Sequence, residues 1–310
     1  MNALVGYTGF VGANIAAKHS FDTLYNSKNI TEAFGTKPDL LVYAGVPAEM
    51  FLANTNPAAD MAVIENAAEN IQKIAPKQLV LISTVAVLDN PIGADEDVVI
   101  NAGNLKPYGY NRFRLEQMCC GIVENCHIVR LPALFGKGLK KNFIYDLINF
   151  LPVMLKQAKY EELAEREPII IESYKSADNG FYKLSVANSE REKLKSAFRR
   201  AGFSALNFTD SRSVYQFYNL EYLWEHIEVV LKHNLPLLHI AVEPLSVSEV
   251  YRVVKGDEFV NEISDTPFNY DLRTKYSRVF GGKGGYIFKK EQVLSEIKAF
   301  VDVCSESVNL

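Results

Sequence analysis

The sequence predicts an α/β protein built on a doubly wound parallel sheet, with a smaller substrate-binding region towards the carboxyl end. Short apolar, β-branched runs alternate with helical patterns through the first half of the chain. Several of these runs are continuously apolar, as strands buried on both faces are. Three glycines stand directly between the first strand and the first helix.

Taken in order, Ala3-Leu4-Val5 reads as a strand, Val11 to Lys18 as a helix and Thr23-Leu24-Tyr25 as a short second strand. Asp39 to Ala44 (DLLVYA) reads as a buried strand, followed by an alanine-rich helix from Ala58 to Ile74. Gln78 to Leu88 (QLVLISTVAVL) is the next strand, Pro107 to Glu124 a helix, and Cys126 to Leu131 (CHIVRL) a further strand. Right-handed crossovers bring the carboxyl ends of such strands to one edge, where ligands bind.

The second half is less regular. Asn142 to Leu155 reads as helical, and Glu161 to Ala205 is a charged stretch with an amphipathic helix from Ser189 to Arg200. Val214 to Tyr218 and Leu237 to Val242 read as strands around a helix from Leu220 to Leu231. Ser246 and Glu249 form a capping box opening a helix through Val254, and a last helix runs from Lys290 to Val303. The expected division is a dinucleotide-binding domain at 1–136 with a returning segment at 214–242, and a substrate-binding region made of 137–213 and 243–310.

With 48% hydrophobic residues, 23% charged residues and a formal net charge of -4 over 310 residues, the chain carries no electrostatic footprint for nucleic acid or an anionic membrane. Small molecules and protein surfaces are the expected partners. The cysteines (Cys119, Cys120, Cys126 and Cys304) and the scattered histidines form no grouping with metal-ligand spacing, so no metal is expected. No signal peptide and no apolar run of membrane-spanning length is seen, and a cytoplasmic location is expected. Gly281-Gly282-Lys283-Gly284-Gly285 lacks the Ser or Thr and the spacing of a phosphate loop and reads as a flexible loop.

Gly6, Gly9 and Gly12 form G-x-x-G-x-x-G. The first permits a tight turn, the second lets backbone approach a pyrophosphate, and the third lets the helix pack close to the sheet. The helix start at Phe10 and Val11 then offers free N–H groups and the positive dipole end to phosphates. An acidic residue for the adenine ribose is absent after the second strand. Asn26, Ser27 and Lys28 stand there instead, and a lysine able to meet a 2′-phosphate tilts the expected cofactor slightly from NAD to NADP.

These motifs, in this order, resemble the extended short-chain dehydrogenase/reductase family, the NAD-dependent epimerase/dehydratase-like enzymes that modify nucleotide sugars. DLLVYAG, with Ala44 and Gly45, resembles that family's strand leading to the cofactor, and Asn66 in IENAAEN its helix asparagine. LISTVAV resembles the strand bearing the catalytic Ser or Thr, and PYGYNRFRLEQ resembles Y-G-x-S-K-x-x-x-E. NFIYDL resembles the segment that grips the substrate's nucleotide, with Asn142 and Phe143 in the matching places, and Arg273 is placed to meet a pyrophosphate. The resemblance covers Met1 to about Leu147, thinly again Tyr215 to Val254, and matches nothing from Glu161 to Ala205. It implies a Rossmann-type fold, NAD or NADP, a nucleotide-sugar substrate and a homodimer packed through the helices near Asn66 and Leu115.

In such chemistry a hydride moves between nicotinamide C4 and a sugar carbon while a tyrosine exchanges the hydroxyl proton. Aligning Tyr108-Gly109 with the family's Y-G puts Arg112 at the lysine and Glu116 at the glutamate; aligning Tyr110 and Arg114 loses both neighbours. Thr84 takes the strand hydroxyl position, with Ser83 as the neighbour to test against it. A unit charge ~5 Å from the phenol at an effective dielectric near ~20 is worth roughly 3 kcal/mol, so a guanidinium could favour the phenolate, although its fork differs from an ammonium. Two readings follow: a reductase or epimerase using Tyr108, Arg112 and Thr84, or a catalytically reduced cofactor-binding protein with a regulatory or scaffolding role. The acidic pair that follows the threonine in 4,6-dehydratases is replaced by Val85 and Ala86, which argues against elimination.

Overall fold

A computed structural model describes residues 1–177 and 180–308. Five strands of its central sheet come from the first half of the chain: β1 (Asn2–Val5), β2 (Thr23–Tyr25), β3 (Leu40–Tyr43), β4 (Gln78–Thr84) and β5 (Asn125–Leu131). The strand Leu237–His239 completes a six-stranded sheet in the order 237–239, β5, β4, β3, β1, β2, with every neighbour parallel. The strand order reverses between β1 and β3, which opens the crevice where ligands bind in such sheets.

All four residues of β3 are buried, as its unbroken apolar run requires. Between the strands lie α1 (Phe10–Lys18), α2 (Met50–Thr55), α3 (Pro57–Ile74) and α4 (Pro107–Ile122). Both α3 and α4 start on a proline, whose fixed φ suits the first helical position. Asn56 caps α3 by accepting from the Ala59 N–H at 3.2 Å. Leu41, Leu79 and Leu81 of the sheet pack with Ile64 and Ile71 of α3 and Leu115 and Cys119 of α4 in one core.

Contacts divide the chain into two units. The first comprises Met1–Leu139, Val214–Leu245 and Phe268–Glu296; the second comprises Lys140–Ser213, Ser246–Pro267 and the described residues from Ile297 on. The segment Phe268–Glu296 thus groups with the sheet rather than with the rest of 243–310. Its Leu272 N–H donates to Gln216 Oε1 at 2.7 Å, and Thr274 donates to Glu96 at 2.7 Å.

Several expected elements differ in extent in the structure; the strand expected at Leu237 to Val242, for one, ends at His239. β4 ends at Thr84, whose hydroxyl accepts the Ala86 N–H at 3.2 Å and starts a 3-10 turn, Val85–Val87. The strand expected at Val214 to Tyr218 is split into Val214–Tyr215 and Phe217–Asn219, because the buried Gln216 amide donates to Val242 O at 2.5 Å and Leu272 O at 2.9 Å. The helix expected at Asn142 to Leu155 covers only Phe143–Ile148; with Pro152 ahead the chain extends into a strand, Met154–Lys156.

That strand opens a three-stranded antiparallel sheet in the second unit, ordered Met154–Lys156, Phe181–Leu184, Tyr174–Ala177. Helices Gln157–Arg166 and Arg191–Ala201 close over a core of Leu155, Leu163, Ile170, Leu194 and Phe198. The capping box at Ser246 and Glu249 forms as expected and opens the helix Val247–Lys255. Among the described residues no helix is long and apolar enough to cross a membrane.

Candidate active site

The glycine loop shows why two of its three glycines are required. Gly6 has φ +92°, and a Cβ there would lie 2.4 Å from the Ala44 carbonyl oxygen at the end of β3. A Cβ on Gly12 would lie 2.1 Å from Gly6 O, so only glycine lets α1 sit so close to the turn. At Gly9 a Cβ would meet nothing nearer than Gly6 O at 3.3 Å, and its surface is exposed. The first intrahelical bond runs from Ala13 N–H to Gly9 O at 2.8 Å, so the N–H groups of Phe10, Val11 and Gly12 precede it and lack helical acceptors. Gly45, exposed just beyond β3, flanks the same turn.

After β2 the chain makes an Asx turn: Asn26 Oδ1 accepts from Lys28 N–H at 2.8 Å, and Asn26 donates to the Tyr7 hydroxyl at 3.3 Å. Ser27 and Lys28 are exposed. Asn66 is not brought into this region's buried polar groups: it lies on the exposed face of α3. One turn on, Asn70 is buried and hydrogen-bonds the Tyr43 hydroxyl, which burial pushes up to about 12. Leu115 is 2% exposed and packs within the core.

Gly109 allows α4 to lie against the turn after β4, since a Cβ there would be 2.1 Å from the Ala86 carbonyl oxygen. That approach brings Tyr108 to Thr84, whose hydroxyl favours the phenolate. The Tyr108 N–H is held by Asn54 of α2 at 3.0 Å. The Arg112 guanidinium lies over the Tyr108 ring, 4.1 Å from its centre. Tyr108, Thr84 and Arg112 are therefore one cluster.

Arg112 is not free within it. The guanidinium is ion-paired to Asp60 in the first turn of α3, with side chains 6% and 13% exposed, and donates to Pro47 O at 2.6 Å. Asn111 adds a second donor to Asp60 at 2.7 Å. The Tyr108 phenol is pushed above its ordinary value, first by burial, with Arg112 pulling down and Asp60 pushing up. The stabilisation of a phenolate expected from an isolated guanidinium is thus offset. Asp60 and Asn54 were missed by sequence reasoning: both lie in the Met50 to Asp60 region, 52 or more positions before Arg112 in a stretch without any motif spacing, and only their hydrogen bonds reveal them.

Ser83 is committed elsewhere. It donates to Glu116 at 2.5 Å, and Glu116 also accepts from Arg130 of β5 at 3.0 and 2.6 Å. Arg130 contacts His239 Nε2 at 3.1 Å, and burial holds His239 down to about 4. This buried chain separates Ser83 from Thr84. Tyr110 is 39% exposed and Arg114 bonds Gln117, so neither joins the cluster.

Of the expected substrate residues, Arg273 is engaged within the first unit by Asp271 at 2.8 Å, Gly284 O at 2.9 Å and the Tyr286 ring at 4.1 Å. In the second unit Asn142, at φ +105°, caps the helix it precedes, and Phe143 is buried against Phe259. From the same helix Tyr145 joins Arg191 in lining a cavity of about 480 Å³.

No family profile matches the chain, and no curated protein matches it by sequence. Solved structures do match in fold. The dTDP-4-dehydrorhamnose reductase of Bacillus anthracis, solved with NADP, is 16% identical with a TM-score of 0.62, covering 97% of this chain and 98% of that one. The UDP-glucose 4-epimerase of Thermotoga maritima, solved with UDP-glucose, is 11% identical with a TM-score of 0.63, covering 99% and 100%. The fold is that of nucleotide-sugar reductases and epimerases. A UDP-glucuronic acid 4-epimerase variant from Bacillus cereus, solved with NAD and a fluorinated UDP-sugar, gives a TM-score of 0.59 at 13% identity, covering 99% of each chain.

Proposed function

We propose that the protein is an NAD(P)-dependent oxidoreductase or epimerase acting on a nucleotide sugar, with Tyr108 exchanging the proton at the reacting sugar oxygen. The observation that carries this reading is the Tyr108–Thr84–Arg112 cluster at the carboxyl end of β4, beside a glycine loop whose geometry fits a dinucleotide. The fit rests on Gly9, where the missing side chain leaves backbone open to a pyrophosphate, and on the unpaired N–H groups of Phe10, Val11 and Gly12. Gly45 and Ala44 would flank the nicotinamide half, and Asn26, Ser27 and Lys28 the adenine ribose, with Lys28 favouring NADP. A bound nicotinamide supplies or accepts hydride at C4.

Within this reading Thr84 orients the sugar oxygen, Tyr108 gives or takes its proton, and Arg112 holds the Tyr108 ring in place from below. Arg273 of the first unit is a proposed contact for the nucleotide diphosphate. The four free cysteines suit a cytoplasmic setting. A homodimer would draw on the exposed apolar side chains Met50, Leu52 and Val63 of α2 and α3 rather than on Leu115.

The test is reduction of dTDP-4-dehydrorhamnose by NADPH and NADH, and interconversion of UDP-glucose and its 4-epimer, in wild type and Tyr108→Phe. Turnover is expected to fall by about 10² to 10⁴-fold in the variant, while NADPH binding, followed by nucleotide fluorescence, stays unchanged. Equal turnover in the two proteins overturns the role of Tyr108.

A further inference from the structure

We propose that Asp60 is a positioning residue that locks Arg112 beneath the Tyr108 ring and opposes its charge, so that Tyr108 works as a proton donor in reduction and not as a phenolate base. The inference rests on the proposed function and chooses between its two reactions.

The geometry is specific. Asp60 sits in the first turn of α3, where the helix dipole favours a carboxylate, and it is the sole carboxylate ion-paired with Arg112 among the described residues. Asn111 and the Arg112 fork converge on the same Asp60 oxygen, Oδ2, and Pro47 O takes the other end of the guanidinium. Arg112 therefore has its donors turned to α3 and to the segment after β3, with its flat face to the Tyr108 ring. A rigid fork fixed in that way cannot also swing to act as a loose point charge. The charged groups bearing on the Tyr108 hydroxyl are these two, Arg112 of α4 and Asp60 of α3, and they are of opposite sign. Thr84 of β4 adds a neutral group that, like Arg112, favours the phenolate.

The two candidate reactions ask different things of that hydroxyl. In reduction, Tyr108 passes its proton to the carbonyl oxygen as that oxygen takes up the π electron pair released when hydride reaches the carbon; Tyr108 then recovers a proton from water. The emerging alkoxide is more basic than a phenolate, so a neutral phenol suffices. Epimerisation starts instead from a sugar hydroxyl, and Tyr108 would have to begin as the phenolate. With the phenol buried and Asp60 opposing the one nearby cation, the phenol stays above its ordinary value and starts the reaction protonated.

The experiment follows the Tyr108 Cζ resonance in protein labelled with ¹³C-tyrosine, assigned by its loss in Tyr108→Phe, across a pH series. Wild type, Asp60→Asn, Arg112→Gln and the double variant form a cycle. Asp60→Asn is expected to lower the Tyr108 titration by about one pH unit or more, Arg112→Gln to raise it, and the double variant to return close to wild type; Asp60→Glu should restore the wild-type curve. Should Asp60→Asn fail to fold with Arg112 left unpaired, the step from Arg112→Gln to the double variant measures the same Asp60 charge. A Tyr108 titration unmoved by loss of Asp60 in either background overturns the inference. Turnover is read separately: NADPH-dependent reduction with no epimerisation supports it, epimerisation as fast as reduction overturns it, and the titration decides the role of Asp60 even where neither substrate turns over and the functional reading falls.

Discussion

In the first unit the pairs Arg112–Asp60 and Arg130–Glu116 have side chains between 5% and 13% exposed. In the 151–203 part of the second unit, Lys159–Glu162 and Lys193–Glu190 have side chains between 34% and 70% exposed, over a core of Leu155, Leu163, Leu194 and Phe198. Surface pairs of that kind contribute little, so that region is held by apolar burial. Buried pairs carry a desolvation cost that apolar residues would avoid, and their return is orientation. Both buried pairs lie on the helix that carries Tyr108. One fixes the arginine beneath its ring, and the other ties α4 to β4 and β5 through Ser83 and Arg130. Of the pairs compared, the buried ones are thus those that aim a side chain.

Substitutions can break this contrast. The largest effect is expected at Arg130→Leu, which leaves Glu116 buried without its cation and should cost about 3–5 kcal/mol in urea denaturation, with Tyr108 losing its fixed position as the helix shifts. Leu194→Ala, at a fully buried site of the second unit, should cost about 2–5 kcal/mol and, by hydrogen exchange, open the second unit's amides while leaving those of β3 and β4 protected. Equal exposure of both units would show that they unfold as one.

The smallest effect is in pH, and here the units should differ in sign. His226 and His239 of the first unit are held by burial at about 4, below the ordinary 6.5, so they stay neutral in the fold; their contribution is complete above 6.5 and is lost as pH falls towards about 4. Asp146 of the second unit is raised by burial from 3.8 to about 7, so its contribution is complete at low pH and is lost as pH rises from 3.8 through about 7. Asp146→Asn should stabilise the second unit above pH ~7 by about 1 kcal/mol or more, with no gain at pH ~4. A gain at both pH values would assign the effect to packing and not to charge.

Much of the first unit can be read along the chain because its signals are local. The apolar runs of β3 and β5, the three glycines and the Y-G step each lie within a few residues and announce buried strands, a close turn and a close helix approach. Tyr108 and Thr84 follow from motif order. What could not be read depends on partners far apart in sequence: Asp60 under Arg112, Asn54 on the Tyr108 amide, and Glu96 accepting from His239 and Thr274. Helix α2 was missed because Met50, Phe51 and Leu52 are consecutive and exposed, so no helical period marks them. The small antiparallel sheet was missed because its strands are three or four residues long and each carries an exposed lysine, Lys156, Lys175 or Lys183. Asn66 was placed by resemblance, while the buried position one turn away belongs to Asn70.

The sixth strand of the sheet has a consequence for the order in which the protein is made. Leu237–His239 pairs with β5, yet roughly a hundred residues, including most of the second unit, are synthesised between them. At about 5–20 residues per second, β5 leaves the ribosome on the order of ten seconds before its neighbour does. During that interval Ile128, Val129 and Arg130 present an unpaired, mostly apolar edge, and Arg130 waits for His239. The nascent chain is thus most open to mispairing and to chaperone capture during translation of 132–236, a window set by topology alone.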